Sequence, residues 1–253
     1  MQDLSNFINT IIQGDCIEVM KEIPDNSIDL VVTSPPYNIG IDYGTYKDNL
    51  SWIEYYDWCE KWLIEIYRAL KDDGRFCLNH YLSIGNSQER TAPLMVLNSL
   101  AMEIGFQHHS CAIWEDTSLS SKTSWGSWMS ASAPYISSPF EGILILYKEF
   151  WQKQNKGKST IEKNDFIMST KGIWNIGTER QRLTPCPFPK KLPNLCINLL
   201  TYENDIVLDP FMGSGTTIVV CKELKRRYIG IEIDEKIYKV ARNRISSMTG
   251  FLF

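Results

Sequence analysis

Two stretches of this sequence carry side chains whose types and spacing suit chemistry, one near each end. Near the front, Thr33-Ser34-Pro35-Pro36-Tyr37 follows Ile28-Asp29-Leu30-Val31-Val32, an apolar, β-branched run that reads as a buried strand. Proline fixes φ and has no N–H, so a Pro-Pro step leaves a sheet stiffly and releases carbonyls from the ladder. A rigid corner offering a hydroxyl, a carbonyl and a flat ring suits a planar ligand that carries an amino group. Read plainly, the same residues are a strand end with a proline turn.

Near the end, Asp205-Ile206-Val207-Leu208 reads as a strand. Asp209-Pro210-Phe211-Met212-Gly213-Ser214-Gly215-Thr216-Thr217 follows, then a helix over 218–224. Strand, tight Gly-x-Gly turn and helix make the first unit of a nucleotide-binding half. The glycines let a ligand approach the backbone, and the helix-start N–H groups receive an anionic group such as a carboxylate. Arg227-Tyr228-Ile229-Gly230-Ile231-Glu232 comes next, and Glu232 stands about 20 residues after the turn, where an acid binds ribose hydroxyls. Gly-x-Gly alone is a plain turn; strand, acid, turn, helix, strand and acid in that order is specific. No Gly-Lys-Ser/Thr follows the turn, which disfavours a phosphate-loop NTPase, and the third glycine of the dinucleotide pattern is missing.

The rest of the pattern must position these two stretches. Thr10-Ile11-Ile12 is a short strand, and Asp15 precedes a helix at 17–23, the usual place of an N-cap. The glycine-rich stretch 38–44 is expected to be a lid beside the corner. Ser51-Trp52-Ile53-Glu54 fits a capping box, and the helix after it lines Tyr55, Cys59, Leu63, Ile66 and Leu70 on one face, a core stripe. It is expected to end at Asp72-Asp73-Gly74. Further strands are predicted at 75–79, 106–114 and 142–147, and helices at 94–104, 194–200 and 236–248. His108 and His109 face opposite sides of their strand, and no group has metal-ligand spacing, so no metal is expected. The strand–helix alternation predicts a mostly parallel sheet covered on both faces.

A length of 253 residues fits one large α/β domain with a small insertion, and 43% hydrophobic content can fill its core. No apolar run approaches the roughly 20 residues of a membrane span, and no basic leader is visible. Seven cysteines, odd in number and scattered, suit reduced thiols in a cytoplasmic protein. The net charge is -4, yet residues 148–191 hold ten Lys or Arg against four Asp or Glu. A basic segment on an acidic body suits a grip on an anion. Lys153, Lys156 and Lys158 are candidates for phosphate contacts, and Arg180, Gln181 and Arg182 have the side chains that bond base edges. The plain alternative is a solvated loop.

Together, Thr33–Tyr37, the turn at 208–217, residues 228–232 and 185–192 resemble the amino-DNA methyltransferases that use S-adenosylmethionine. Their order, corner first and turn last, resembles the beta class. The resemblance spans nearly the whole chain and is weakest at 116–138 and 149–182. It implies a Rossmann-like, seven-stranded, mostly parallel sheet, circularly permuted, with a catalytic part at 1–148, a target-recognition region at 149–183 and a cofactor-binding part at 184–253. It implies that Asp209, Phe211, Gly213, Gly215 and Thr216 line the cofactor, that Glu232 takes its ribose hydroxyls, that Asp15 contacts its adenine end, and that Phe188 packs near its methionine part. Where Thr184 stands the family often has His. Ser34, Pro35, Pro36 and Tyr37 become the catalytic motif. Ser in its first position is commoner among methylators of cytosine N4, and Asp among those of adenine N6. Double-stranded DNA is the implied substrate, with a cognate restriction endonuclease and a second copy of the chain as further partners. Permutation also implies that the last helix lies beside the first strand, with the Ser34 and Asp209 loops together at one sheet edge.

The residue types match that chemistry. An exocyclic amine is a poor nucleophile because its lone pair is delocalised into the ring. Ser34 Oγ and the Pro35 carbonyl can accept its two N–H bonds and turn the lone pair toward a sulfonium methyl. Such positioning lowers a barrier by several kcal/mol, within a ceiling of roughly 7–11. Tyr37 is expected to stack on the base, which must leave the duplex. Methylation at ring carbon 5 needs a cysteine nucleophile, and Cys186, between two prolines, lies far from the first strand end. Amine methylation of RNA or protein is the more distant alternative. A DNA-binding module without chemistry has no use for the Asp209–Glu232 arrangement.

Overall fold

The computed structural model describes residues 3–42, 45–46, 48–85, 90–115, 126–136, 138, 140–177 and 189–248. Its elements in chain order begin with β1 (Thr10–Gln13), α1 (Cys16–Lys21), β2 (Ile28–Thr33), α2 (Trp52–Ala69) and β3 (Leu70–Tyr81). A small pair, β4 (Ile84–Gly85) and β5 (Arg90–Thr91), precedes α3 (Pro93–Ile104), β6 (Gln107–Glu115) and β7 (Phe140–Tyr147). Then come α4 (Lys163–Ser169), β8 (Ile173–Asn175), α5 (Lys191–Leu200), β9 (Ile206–Asp209), α6 (Thr216–Glu223), β10 (Arg227–Glu232) and α7 (Glu235–Ser246).

One sheet runs in the order β1-β10-β9-β2-β3-β7-β6-β8. The five strands from β1 to β3 are parallel, β7 is antiparallel to both neighbours, and β8 is parallel to β6. The expected mostly parallel, Rossmann-like sheet is present with one strand more than expected. β8 is three residues long, too short to show a period in sequence.

The helices divide between the faces. Buried residues of α1, α2 and α3 share one core with Phe76, Leu78 and Leu208, while those of α5, α6 and α7 share the other with Leu30, Val32 and Val207. The β2 and β9 strands are buried throughout, as strands covered on both sides must be. At the start of α2, Ser51 and Glu54 form the reciprocal capping box read in the sequence. The helix stops at Ala69, earlier than expected, because Leu70 turns extended and β3 begins there. A register shift between Ile28 and Leu30 absorbs the extra residues 71–74.

Chain direction across the sheet reverses between β9 and β2. From β9 the chain continues outward through β10, and from β2 outward through β3. The crevice beyond the carboxyl ends of two such strands is where open α/β sheets bind ligands. The helix α7 packs beside β1, and Tyr238 Oη donates to the Ile11 carbonyl at 3.4 Å, the neighbourhood that permutation implies.

Among the described residues, no helix is long and apolar enough to cross a membrane, no group of side chains has the makings of a metal site, and Cys16, Cys59, Cys77, Cys111, Cys196 and Cys221 are free thiols.

Candidate active site

The strand ends bring the two chemical stretches together. Thr33, the last residue of β2, donates its hydroxyl to Oδ1 of Asp209, the last residue of β9, at 2.7 Å. The Phe211 amide donates to the same oxygen at 3.1 Å, and Oδ2 is buried with no hydrogen-bond partner. Burial raises the Asp209 carboxyl to about 6, although the nearby Thr217 and Thr33 hydroxyls and the Phe211 amide pull the other way.

Beyond Thr33 the proline corner is held from both faces of the sheet. Ser34 Oγ lies 2.7 Å from Tyr37 Oη, which donates to Glu141 Oε2 at 2.6 Å. Asn79 Nδ2 donates to both Tyr37 Oη and Glu141 Oε2, each at 2.7 Å. On the other side, Tyr55 of α2 donates to the Pro36 carbonyl at 2.7 Å and meets His80 Nε2 at 2.9 Å. Burial lowers His80 to about 3, so its ring is neutral. The single Tyr55 proton is spent on Pro36, so His80 Nε2 carries the proton of the second bond.

The Tyr37 ring is only 9% exposed, with its centroid 4.3 Å from that of His80 and its edge against Tyr81. This corrects the expectation that it presents a stacking face: the bonds to Ser34, Asn79 and Glu141 draw the ring into the protein. Ser34 and Pro36 are half-buried, and Pro35 is buried.

At the turn, Gly213 and Gly215 have φ of +52° and +79°, a region L side chains rarely enter. Gly230 on β10 makes room for the turn, since a Cβ there would lie 2.6 Å from Met212 Sδ. Phe211 packs on Trp58 and Trp62 of α2, each with ring centroids 5.5 Å away. Glu232 accepts from the Gly213 amide at 3.1 Å and the Asp234 amide at 2.9 Å. Thr216 opens α6 and receives Arg244 Nη1 at 3.0 Å. Asp15 caps α1, accepting from the Ile17 and Glu18 amides, and β1 brings it to the same edge because Gln13 pairs with Glu232.

Comparison with known proteins decides the family. The family model described as DNA methylase matches residues 28–243. The chain belongs to the DNA methylase family. It is 42% identical over 174 residues to the type II methyltransferase M.MjaVI of Methanocaldococcus jannaschii, covering 68% of this chain and 88% of that protein. It resembles the Thermus thermophilus protein TTHA0409, solved in complex with S-adenosyl-L-methionine, with 26% identity, a TM-score of 0.75, and coverage of 95% and 96% of the two chains. The PvuII DNA methyltransferase (cytosine-N4-specific) shares the fold, with 24% identity, a TM-score of 0.72, and coverage of 93% and 85%.

The methylase has a turn that fits S-adenosylmethionine. Its buried, unpartnered Asp209 Oδ2 suits an ammonium group, and the Glu232 carboxylate at the end of β10 suits hydroxyl donors. The Gly213 and Gly215 turn and Phe211 stand between them, while Phe188 lies outside the described residues.

Two of the lysines predicted to touch DNA are engaged by carboxylates of the fold. Lys153 Nζ is buried, 2.8 Å from Asp29 Oδ1 and 3.1 Å from Asp205 Oδ2. Asp29 sits four residues before Thr33, about 13 Å back along the strand, so Lys153 joins the amino-terminal edge and binds strands together instead. Lys158 pairs with Glu203 at 2.9 Å, and its carbonyl accepts from the Glu203 amide; Lys156, between them, is exposed. Arg180, Gln181 and Arg182 lie outside the described residues. Within 149–183, the described part is built into the main fold. Arg226, fully buried, donates to Thr160 and Thr201, and β8 extends the sheet.

The expected lid is tied down where it is described. Asp48 accepts from the amides of Asn38, Ile39 and Ile41, and Thr45 donates to Asp234 at 3.0 Å. Asp48, Asn79 and Glu141 shape the site without any mark in the sequence, Tyr55 reads there only as core, and Thr33 belongs to the corner without a partner of its own. Thr33, adjoining Ser34 at the strand end, was the one within reach, since a hydroxyl there has few partners but the neighbouring strand end.

Proposed function

We propose that the chain is a site-specific DNA methyltransferase that modifies the exocyclic N4 amine of cytosine in double-stranded DNA, with S-adenosylmethionine as the donor. When bound, the donor supplies a methyl group on a sulfonium. The chain's residues position the amine. Ser34 Oγ and the Pro35 carbonyl accept its N–H bonds, and the Thr33–Asp209 bond sets that corner against the cofactor turn. The observation that carries the reading is this contact between the last residues of β2 and β9 at 2.7 Å, because methyl transfer needs donor and acceptor within bonding reach.

Serine at position 34 favours cytosine N4 over adenine N6, following the family correlation. The end of β6 and the start of β7 lie at the edge that carries Ser34, and this reading takes the DNA over that edge. A matching restriction endonuclease and a second copy of the chain are the further partners of this reading, in a cytoplasm that keeps the thiols reduced. Labelled donor, duplex DNA and digestion to nucleosides test it. Labelled N4-methylcytosine is expected, labelled N6-methyladenine would move the assignment to adenine, and unlabelled nucleosides would overturn the reading.

A further inference from the structure

We propose that Ser34, Tyr37 and Glu141 form a proton path that takes the surplus proton of the methylated amine from the target base to the Glu141 carboxylate. The inference rests on the reading of function above and deepens it.

Proton bookkeeping gives the path its direction. Tyr37 has one hydroxyl proton, and burial together with the Glu141 carboxylate holds its phenol well above the ordinary value. That proton is donated to Glu141 Oε2 at 2.6 Å. Tyr37 Oη therefore accepts from Asn79 Nδ2 and from Ser34 Oγ, both at 2.7 Å. The Ser34 proton points toward Tyr37, and its oxygen lone pairs are left to receive an N–H from a base in the site. Asn79, bonded to both ends of the Tyr37–Glu141 contact, locks the direction.

The step balances. As the amine nitrogen bonds the methyl carbon, the carbon–sulfur bond breaks and its electron pair stays on sulfur. The nitrogen is then cationic and must lose a proton. Ser34 Oγ takes it while passing its own to Tyr37 Oη, and Tyr37 passes its own to Glu141. One proton leaves the base and one arrives on the carboxylate, with no other reactant. Ser34 and Glu141 are each half-exposed and Tyr37 is buried, so the path runs from the pocket, under the protein surface, to a group that can return its proton to water. Ser34 and Tyr37 come from the corner, but Glu141 comes from β7, more than a hundred residues along the chain.

The described groups about Glu141 come from two strands and the corner. Its lateral partners are Tyr81 on β3 and Trp114 on β6. Tyr37 faces it from the corner, and neutral His80 lies behind the Tyr37 ring.

Single-turnover methylation of duplex DNA, at saturating donor and across about pH 4 to about pH 9, tests the path with wild type, Glu141→Gln and Tyr37→Phe. Wild-type rates are expected to fall at low pH as the acceptor fills. Both variants should be about 100-fold slower at neutral pH and lose that fall, with donor affinity by calorimetry within about twofold of wild type. Variants that keep the wild-type rate overturn the path, and so do slow variants that keep the wild-type pH profile. Should Glu141→Gln fail to bind donor, Tyr37→Phe, which keeps the ring on His80, decides alone. A wild type that leaves DNA unmethylated overturns the function reading itself, an outcome distinct from an active wild type with unaffected variants.

Discussion

Thr33 and Asp209 stand 176 residues apart in sequence and 2.7 Å apart in space, hydroxyl to carboxylate, at the point where the sheet reverses its winding. The bond joins the proline corner to the cofactor turn with no intervening residue. Thr33→Val keeps the side-chain shape and removes the donor, leaving Asp209 Oδ1 with the Phe211 amide alone. We expect about 1–2 kcal/mol of lost stability and a weaker donor affinity. Thermal unfolding with and without the donor measures both. Unchanged values in both states would show that the bond does not couple the two loops.

The acidity of Asp209 makes donor binding depend on pH. Burial raises its carboxyl to about 6, above the roughly 4 of an unfolded chain. For the free protein, its stabilising contribution is therefore full below about pH 4 and is lost as pH rises through about 6. Binding an ammonium group needs the ionised form, so the sign reverses for the ligand: donor affinity should fall as pH drops below about 6, approaching tenfold per unit. Calorimetry across that range checks it. Asp209→Asn should flatten the dependence, and Thr33→Val should move it to higher pH, because it removes a bond that favours the charged form.

Ser34→Ala should separate chemistry from donor binding. Ser34 Oγ bonds Tyr37 and faces the corner, while the donor turn is built from residues 209–215 and Glu232. Turnover is expected to fall by about 100-fold or more, and donor affinity to stay within about twofold. Labelled-methyl incorporation and calorimetry on one preparation read the two quantities. Equal turnover would remove Ser34 from the mechanism.

Both loops were legible in sequence because each is a local pattern: a strand, a stiff or glycine-lined exit, and a polar side chain at a fixed offset. The contacts that hold them were not. Glu141 is the second residue of β7, with nothing around it to mark it, and it gains meaning only when β7 lies antiparallel against β3 and Asn79 points the same way. Trp58 looked like any residue on a long amphipathic helix until Phe211 packed on it. The charge count around Lys153 misled for a related reason. A run of basic residues records composition, and only the fold shows that two carboxylates wait for one of those lysines.

Lys153 supplies the last prediction. Burial raises the Asp29 carboxyl, but Lys153, the Ile206 amide and Lys71 outweigh it and hold the group below its usual range. The side chains of Asp29 and Lys153 are 4% and 9% exposed. Lys153→Ala would leave Asp29 with Lys71 and the Ile206 amide, and Asp205 without its lysine. Breaking a buried pair from one side costs about 3 kcal/mol at the low end of the range, and Lys71, half in solvent, offsets part of it. Stability should drop by about 2–3 kcal/mol, with the loss shrinking as pH falls far enough to protonate Asp29, since a lowered carboxylate stabilises only above its folded pKa. DNA affinity of the folded variant should stay within about twofold of wild type, and its salt dependence should not change, because a lysine on a phosphate would reduce the slope by about one. Denaturant melts at two pH values and DNA titrations at two salt concentrations make the measurement. A stable variant with weakened, less salt-dependent DNA binding would return Lys153 to the DNA interface.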